Sequence, residues 1–337
     1  MNSSTSNSDT DPGWGRSLFA CLGALIGAAL LVLALMVLVD PYDSGKLGLL
    51  GIAGVDNRLT QITAASRARN PDFNAAILGN STAQMIEPAE LSRATGQRFV
   101  QLYMTGSVPR QQRVVLDFFL NHHKQVGALV IVTDPDWCVH AQEKEVGGVP
   151  FPDWLYDGNA VTHAVRSISW QAIEQAFQRI SIGLGHRPRM NPDGFVSYED
   201  IWPPGQFKEV GWPRDPAPAL SADKRATFPE IAALRAIVGK LPADVPVIIV
   251  VPPTYAETVP KPGTETALER KACDAALKSL VAGRPHSNFI SYRVDNELTR
   301  DRANFADFIH YRAALARKIE QGVAASLRDG ERAKVDF

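Results

Sequence analysis

A mostly parallel β-sheet covered by helices on both faces is the architecture this chain predicts, on two observations. Short apolar runs at Ala75–Leu78, Phe99–Tyr103, Ala128–Val132, Pro246–Val251 and Phe289–Tyr292 have the length and β-branched character of fully buried strands. Longer amphipathic stretches at Gln84–Thr95, Arg110–His123, Ala222–Gly239, Glu265–Ala282 and Tyr311–Ser326 separate them. Alternation of this kind gives an α/β fold whose ligands bind at the carboxyl ends of the strands. Polar residues gather at that edge: Ser81 follows the first run, Thr105-Gly106-Ser107 the second, Asp134 and Asp136 the third, Tyr255 the fourth, and Asp307–His310 the fifth.

The elements before the first strand have a different character. Residues 1–17 are rich in Ser, Asn, Thr and Asp and read as a disordered tail. Leu18 to Val39 is a run of 22 residues without charge or proline, which as a helix spans roughly 33 Å and is long enough for a bilayer. It exceeds the apolar region of a cleavable signal, and no Ala-x-Ala site follows, so it reads as a retained anchor. Arg16 and Lys46 flank it almost symmetrically, so charge does not set its orientation. Residues 40–70 read as a stalk with a short helix around Leu59–Arg67, and 71–330 as the folded domain.

Between the third and fourth runs the alternation breaks at 135–220, a long insertion with several tryptophans, prolines and glycines, read as a lid or side wall. Trp137, Trp154, Tyr156, Trp202 and Trp212 are candidates for stacking on sugar rings, with packing of the loop as the plain alternative. His122, His123 and His140 could hold a metal with Asp134 or Asp136, but neighbouring histidines at a helix end point to different sides and suit its dipole. No metal and no cofactor is expected. Of three cysteines, Cys21 lies in the apolar run and only Cys138 and Cys273 could pair, free or structural cysteines being the default reading.

With 337 residues, 45% of them hydrophobic, the chain can bury one sizeable core or two small ones. A net charge of −1 offers no basic field, which argues against a nucleic-acid partner.

Chemistry concentrates in two segments at opposite ends of the domain. Ala76-Ile77-Leu78-Gly79-Asn80-Ser81-Thr82-Ala83 ends a strand in a Gly-Asn-Ser turn, and Asn304-Phe305-Ala306-Asp307-Phe308-Ile309-His310-Tyr311 carries an Asp three residues before a His. An Asp so placed can hold one imidazole nitrogen while the other takes a proton from a serine hydroxyl. The two segments resemble the first and last blocks of the SGNH hydrolase superfamily, over about residues 73–326 without the insertion.

That resemblance implies a flavodoxin-like three-layer sandwich with a five-stranded sheet, Ser81 as nucleophile, His310 as general base and acid, and Asp307 as the orienting carboxylate. It also implies an oxyanion hole from the backbone N–H groups of Ser81 and Gly106. Asn80, Asp134, Asp136 and Tyr255 are further substrate-binding candidates at the rim, Asp134 and Asp136 having turn capping as their alternative. The asparagine of the family's third block is absent, with Thr133-Asp134-Pro135-Asp136 in its place, and an ionised carboxylate cannot donate to an oxyanion.

The anchor, Asp40-Pro41-Tyr42 just after it, and the Asn-Phe-x-Asp-x-x-His-Tyr ending resemble membrane-anchored proteins that modify envelope polymers, among them alginate O-acetylation and teichoic-acid D-alanyl transfer proteins. The expectation is a serine esterase or O-acetyltransferase in the cytoplasmic membrane. Its domain faces the periplasm, acts on a polysaccharide or acyl ester, and works beside a membrane-bound O-acyltransferase. The alternative is a catalytically inert glycan-binding or scaffold subunit with the same fold.

Overall fold

Five strands, β1 (Ala75–Gly79), β2 (Phe99–Tyr103), β3 (Ala128–Val132), β4 (Val247–Val251) and β5 (Asn288–Ser291), form one all-parallel sheet in the order β2-β1-β3-β4-β5. This is a computed structural model that describes residues 12–45, 48–52, 54–55, 59–139, 150–166, 168–187, 190–209 and 227–337. Every residue of β1 to β4 is buried, as expected of strands covered on both faces. The chain divides into two compact units, one made of residues 1–53 and 159–187, the other of 54–158 and 188–337.

The larger unit holds the sheet. Helices α3 (Pro88–Thr95), α4 (Pro109–His122), α8 (Pro229–Val238), α9 (Glu265–Lys278) and α11 (Ala313–Asp329) connect or follow the strands, with a short α10 (Glu297–Arg300) after β5. Pro at the first helical position starts α3, α4 and α8, where its missing N–H leaves no bond unmade. Because β1 lies between β2 and β3, the chain leaves it in opposite directions on its two sides, and the crevice at such a switch point opens at the strands' carboxyl ends. The core runs through Ile77, Val130, Ile248 and Val250 in the sheet to Leu315, Ile319 and Val323 of α11.

Part of the expected stalk belongs to this unit. Helix α2 (Thr60–Ala68) is buried along its whole length and packs on β2 and α4. Thr60 Oγ1 accepts from Thr105 N at 2.9 Å, His123 Nε2 donates to the Ala68 carbonyl at 2.8 Å, and Tyr156 of the short helix α5 (Asp153–Tyr156) donates through its hydroxyl to the Gln61 carbonyl. A helix with no solvent face is held by tertiary packing, which the local composition of 40–70 does not reveal.

The smaller unit contains α1 (Pro12–Val39), α6 (Ala160–Arg166) and α7 (Trp170–Gly183). Residues Trp14–Val39 are long and apolar enough to cross a membrane, and the helix begins within the segment expected to be tail. Helix α7 packs against α1 through Ala172, Gln175, Ala176 and Arg179, with Ser169 capping its start by accepting from Ala172 N at 3.1 Å.

Candidate active site

Gly79 ends β1 where no side chain fits. A Cβ there would lie 2.8 Å from that of Ala83 and 3.0 Å from that of Val132, so only glycine lets the chain turn this closely. Asn80 then caps the single 3₁₀ turn Ser81–Ala83, its Oδ1 accepting from Thr82 N at 2.9 Å and from Thr82 Oγ1 at 2.8 Å. Ser81 is thereby the first residue of a turn at the sheet's edge, with its hydroxyl directed at His310.

The partner loop is closed by a bridge between Phe305 and Tyr311, with Ala306 N donating to the His310 carbonyl at 2.8 Å and Arg312 N to that of Asn304 at 2.8 Å. Within it, Asp307 Oδ1 accepts from the backbone N–H of Ile309 and of His310, both at 2.8 Å. Its Oδ2 lies 2.7 Å from His310 Nδ1, and His310 Nε2 lies 2.9 Å from Ser81 Oγ. Burial alone would raise the Asp307 carboxyl, but the hydrogen bond and charge of His310 and the two backbone donors outweigh it and hold its pKa below the ordinary 3.8. With Asp307 ionised, Nδ1 carries the proton and Nε2 is the acceptor for the serine hydroxyl.

Two aromatic rings meet the imidazole edge-on, Tyr198 at 5.7 Å and Trp202 at 5.6 Å between centroids. Tyr198 is itself fixed by donating its hydroxyl to the Tyr311 carbonyl. Arg312 donates to the carbonyls of Trp202 (2.8 Å), Pro203 (3.0 Å), Gln206 (2.6 Å) and Phe305 (3.2 Å), stitching the 202–206 segment to the His310 loop. Neither Tyr198 nor Arg312 was singled out from sequence. Their only sequence signal is Arg312's position two residues after His310.

The other rim candidates have different surroundings. Asp134 is 7% exposed, and its Oδ2 accepts from Asn80 Nδ2 while its Oδ1 accepts from Asp136 N at 2.9 Å. The capping alternative therefore describes the geometry of Asp134, which also ties the β3 turn to the residue before Ser81. Burial first, and then the charge of Asp136, push the Asp134 carboxyl up to about 7.

Tyr255 is 8% exposed and packs among Phe207, Phe305 and Phe308, its backbone N–H bonded to the Phe308 carbonyl at 2.9 Å. It supports the His310 loop from behind. Gly106 has φ 68°, a left-handed turn that suits glycine. The N–H groups of Ser81 and Gly106 donate no hydrogen bond among the described residues.

Of the aromatic candidates, Trp137 is 1% exposed and Tyr156 is buried, so both are packing residues, whereas Trp202 is half-buried beside His310 with Lys208 Nζ 4.8 Å from its ring centre. Trp212 and His140 lie outside the described residues. Arg110 pairs with Asp153 and Arg113 with Glu230. Cys138, at the end of the turn that Asp134 begins, is joined to Cys273 of α9 by a disulfide. His122 Nδ1 donates to the Phe118 carbonyl at 2.7 Å, and among the described residues no group of three His, Cys, Asp or Glu side chains is arranged to hold a metal ion. No protein-family model matches the chain, and no curated sequence does either.

Proposed function

We propose that the protein is a membrane-anchored serine acyl-ester hydrolase or O-acyltransferase of the SGNH type, carrying acetyl to or from a polysaccharide hydroxyl on the oxidising side of the cytoplasmic membrane. The observation that carries this reading is the unbroken hydrogen-bonded line Asp307–His310–Ser81, drawn from segments 229 residues apart. His310 Nε2 takes the Ser81 proton as Oγ bonds to the ester carbonyl carbon, and returns it to the departing alcohol oxygen. In the second half His310 deprotonates the incoming hydroxyl as its oxygen bonds to the acyl carbon, and returns that proton to Ser81 Oγ as Oγ departs. Asp307 keeps Nδ1–H directed and balances the imidazolium. The N–H groups of Ser81 and Gly106 suit the negative oxygen of both tetrahedral intermediates, each such donor being worth about 3–4 kcal/mol.

Water as acceptor makes the protein an esterase, a sugar hydroxyl makes it a transferase, and a membrane-bound O-acyltransferase is the fitting source of acyl groups. The disulfide supports an extracytoplasmic setting for the larger unit, since such bonds persist in oxidising compartments. The scaffold alternative draws on Asp134, a carboxylate held by Asn80 where a third oxyanion donor would be expected.

The test uses the full chain in detergent with a fluorophosphonate probe and a chromogenic acetyl ester. Wild type is expected to be labelled at Ser81, and Ser81→Ala and His310→Ala to lose at least about a thousandfold in turnover. An unlabelled wild type, or a Ser81→Ala variant with the same turnover, would falsify the nucleophile and leave the scaffold reading.

A further inference from the structure

The end of α1 is fully capped. The N–H of Gly48 donates to the Val37 carbonyl at 2.9 Å, Leu50 N to that of Leu38 at 3.1 Å, and Asp40 N to that of Met36 at 2.9 Å. Arg179 of α7, 1% exposed, donates to the carbonyls of Val39 (2.8 Å) and Asp40 and pairs with Asp43 at 3.2 Å. These bonds satisfy the carbonyls that a helix leaves open at its C-terminus, a necessity where water is scarce. They also fix the level of α7, because Val39 is the last residue of the apolar run and Arg179 is hydrogen-bonded to it.

Helix α7 divides into three sectors at 100° per residue. Ala172, Gln175, Ala176 and Arg179 are buried and face α1. On one flank, about 150° away, run Trp170, Phe177 and the C-cap residue Leu184, spaced by seven residues and 79%, 59% and 66% exposed. On the other flank, about 115° away in the opposite sense, lie Gln171, Glu174 and Gln178. A helix buried by one side alone needs only one apolar sector. The second is the mark of a helix lying in a membrane surface, apolar flank in the acyl chains and polar flank in water.

Leu49 and Leu50, folded back on the last turns of α1, are 77% and 57% exposed at the same level. Trp170 suits the interface, where tryptophan is enriched.

We infer that α7 is a second membrane contact, an interfacial helix whose Trp170–Phe177–Leu184 flank enters the outer acyl region of the bilayer that α1 crosses. The occupant is lipid because Arg179 ties α7 to the last residue of the span, at the level where Leu49 and Leu50 are exposed. The inference rests on α1 crossing the membrane, and the experiment separates the two.

The full chain is reconstituted in phosphatidylcholine vesicles with an environment-sensitive fluorophore at native Cys21 in α1, the only free cysteine among the described residues. In a Cys21→Ser background it is placed at Phe177→Cys, Leu184→Cys or Glu174→Cys, all exposed positions. Quenching is read with lipids spin-labelled near the headgroup or deep in the chain, and with aqueous iodide. The deep lipid is expected to quench Cys21 and the shallow lipid residues 177 and 184, with iodide reaching 174 at least about threefold more strongly than 177.

Iodide quenching 177 and 174 equally while Cys21 stays in lipid overturns the inference and spares the anchor. A 177 label sheltered from both lipid and iodide means that protein covers the flank, which also overturns it. Iodide reaching Cys21 removes the anchor and the inference together.

Discussion

Two buried carboxylates cap turns at the same edge of the sheet, and their environments drive them in opposite directions. Asp307 and Asp134 are 4% and 7% exposed and each accepts backbone N–H bonds from the turn it begins. Asp307 faces an imidazole and two backbone donors, and its pKa is held below the ordinary value. Asp134 has a single backbone donor and an amide, with Asp136 beside it and Arg293 and Arg270 at longer range, and it is raised to about 7. Burial raises both carboxyls; at Asp307 the imidazole and backbone donors outweigh it, whereas at Asp134 the charge of Asp136 adds to it.

Removing the charge at Asp307 should have the largest effect. Asp307→Asn should lower ester turnover by about 10⁴-fold, because the amide stabilises the wrong imidazole tautomer, with Ser81 still present for fluorophosphonate labelling at a much reduced rate. The native group stabilises the fold above its unfolded pKa and loses that contribution as pH falls through its depressed folded value. Thermal melts of wild type against Asp307→Asn should therefore converge below about pH 4.

Next in size is the covalent tie behind Asp134. Cys138→Ser should lower stability by about 2–5 kcal/mol in denaturant titration, as removal of a native disulfide commonly does. It should reduce turnover far less than Asp307→Asn.

Asp134→Asn sharpens the contrast. A carboxyl raised in the folded state contributes stability that is full below its unfolded value near 4 and is lost as pH rises through about 7. Wild type should lose several degrees of melting temperature between about pH 4 and pH 7 from this group, and the Asn variant should show a flatter profile. The smallest effect is expected from Asp136→Asn, which removes a neighbouring negative charge and should move the midpoint of that profile to lower pH by less than about one unit. An unchanged midpoint would assign the rise at Asp134 to burial alone.

Much of the larger unit was legible because its signals are local. Runs such as Ala128–Val132 and Val247–Val251 are buried on both faces and so carry no polar residue, which makes them readable as strands without any partner. Ser81, Asp307 and His310 stood out because their spacing is set by two tight turns. What escaped was set by distant contacts. The burial of α2 depends on β2 and α4, the pairing of Asn80 with Asp134 joins two turns, and the rings of Tyr198 and Trp202 reach His310 from the region read as an insertion. The apolar flank of α7 was likewise silent, since its meaning comes only from the helix it leans on.

The bond between Cys138 and Cys273 encloses 135 residues of sequence separation, and within that stretch fall α5 to α8 and β4. A protease that nicks the backbone once anywhere inside this stretch leaves a two-chain molecule that still migrates as one on non-reducing gels and parts only when thiol is added. Such a clipped form keeps Ser81 on one fragment and His310 on the other, so it can outlive its own peptide bond for as long as its surroundings stay oxidising.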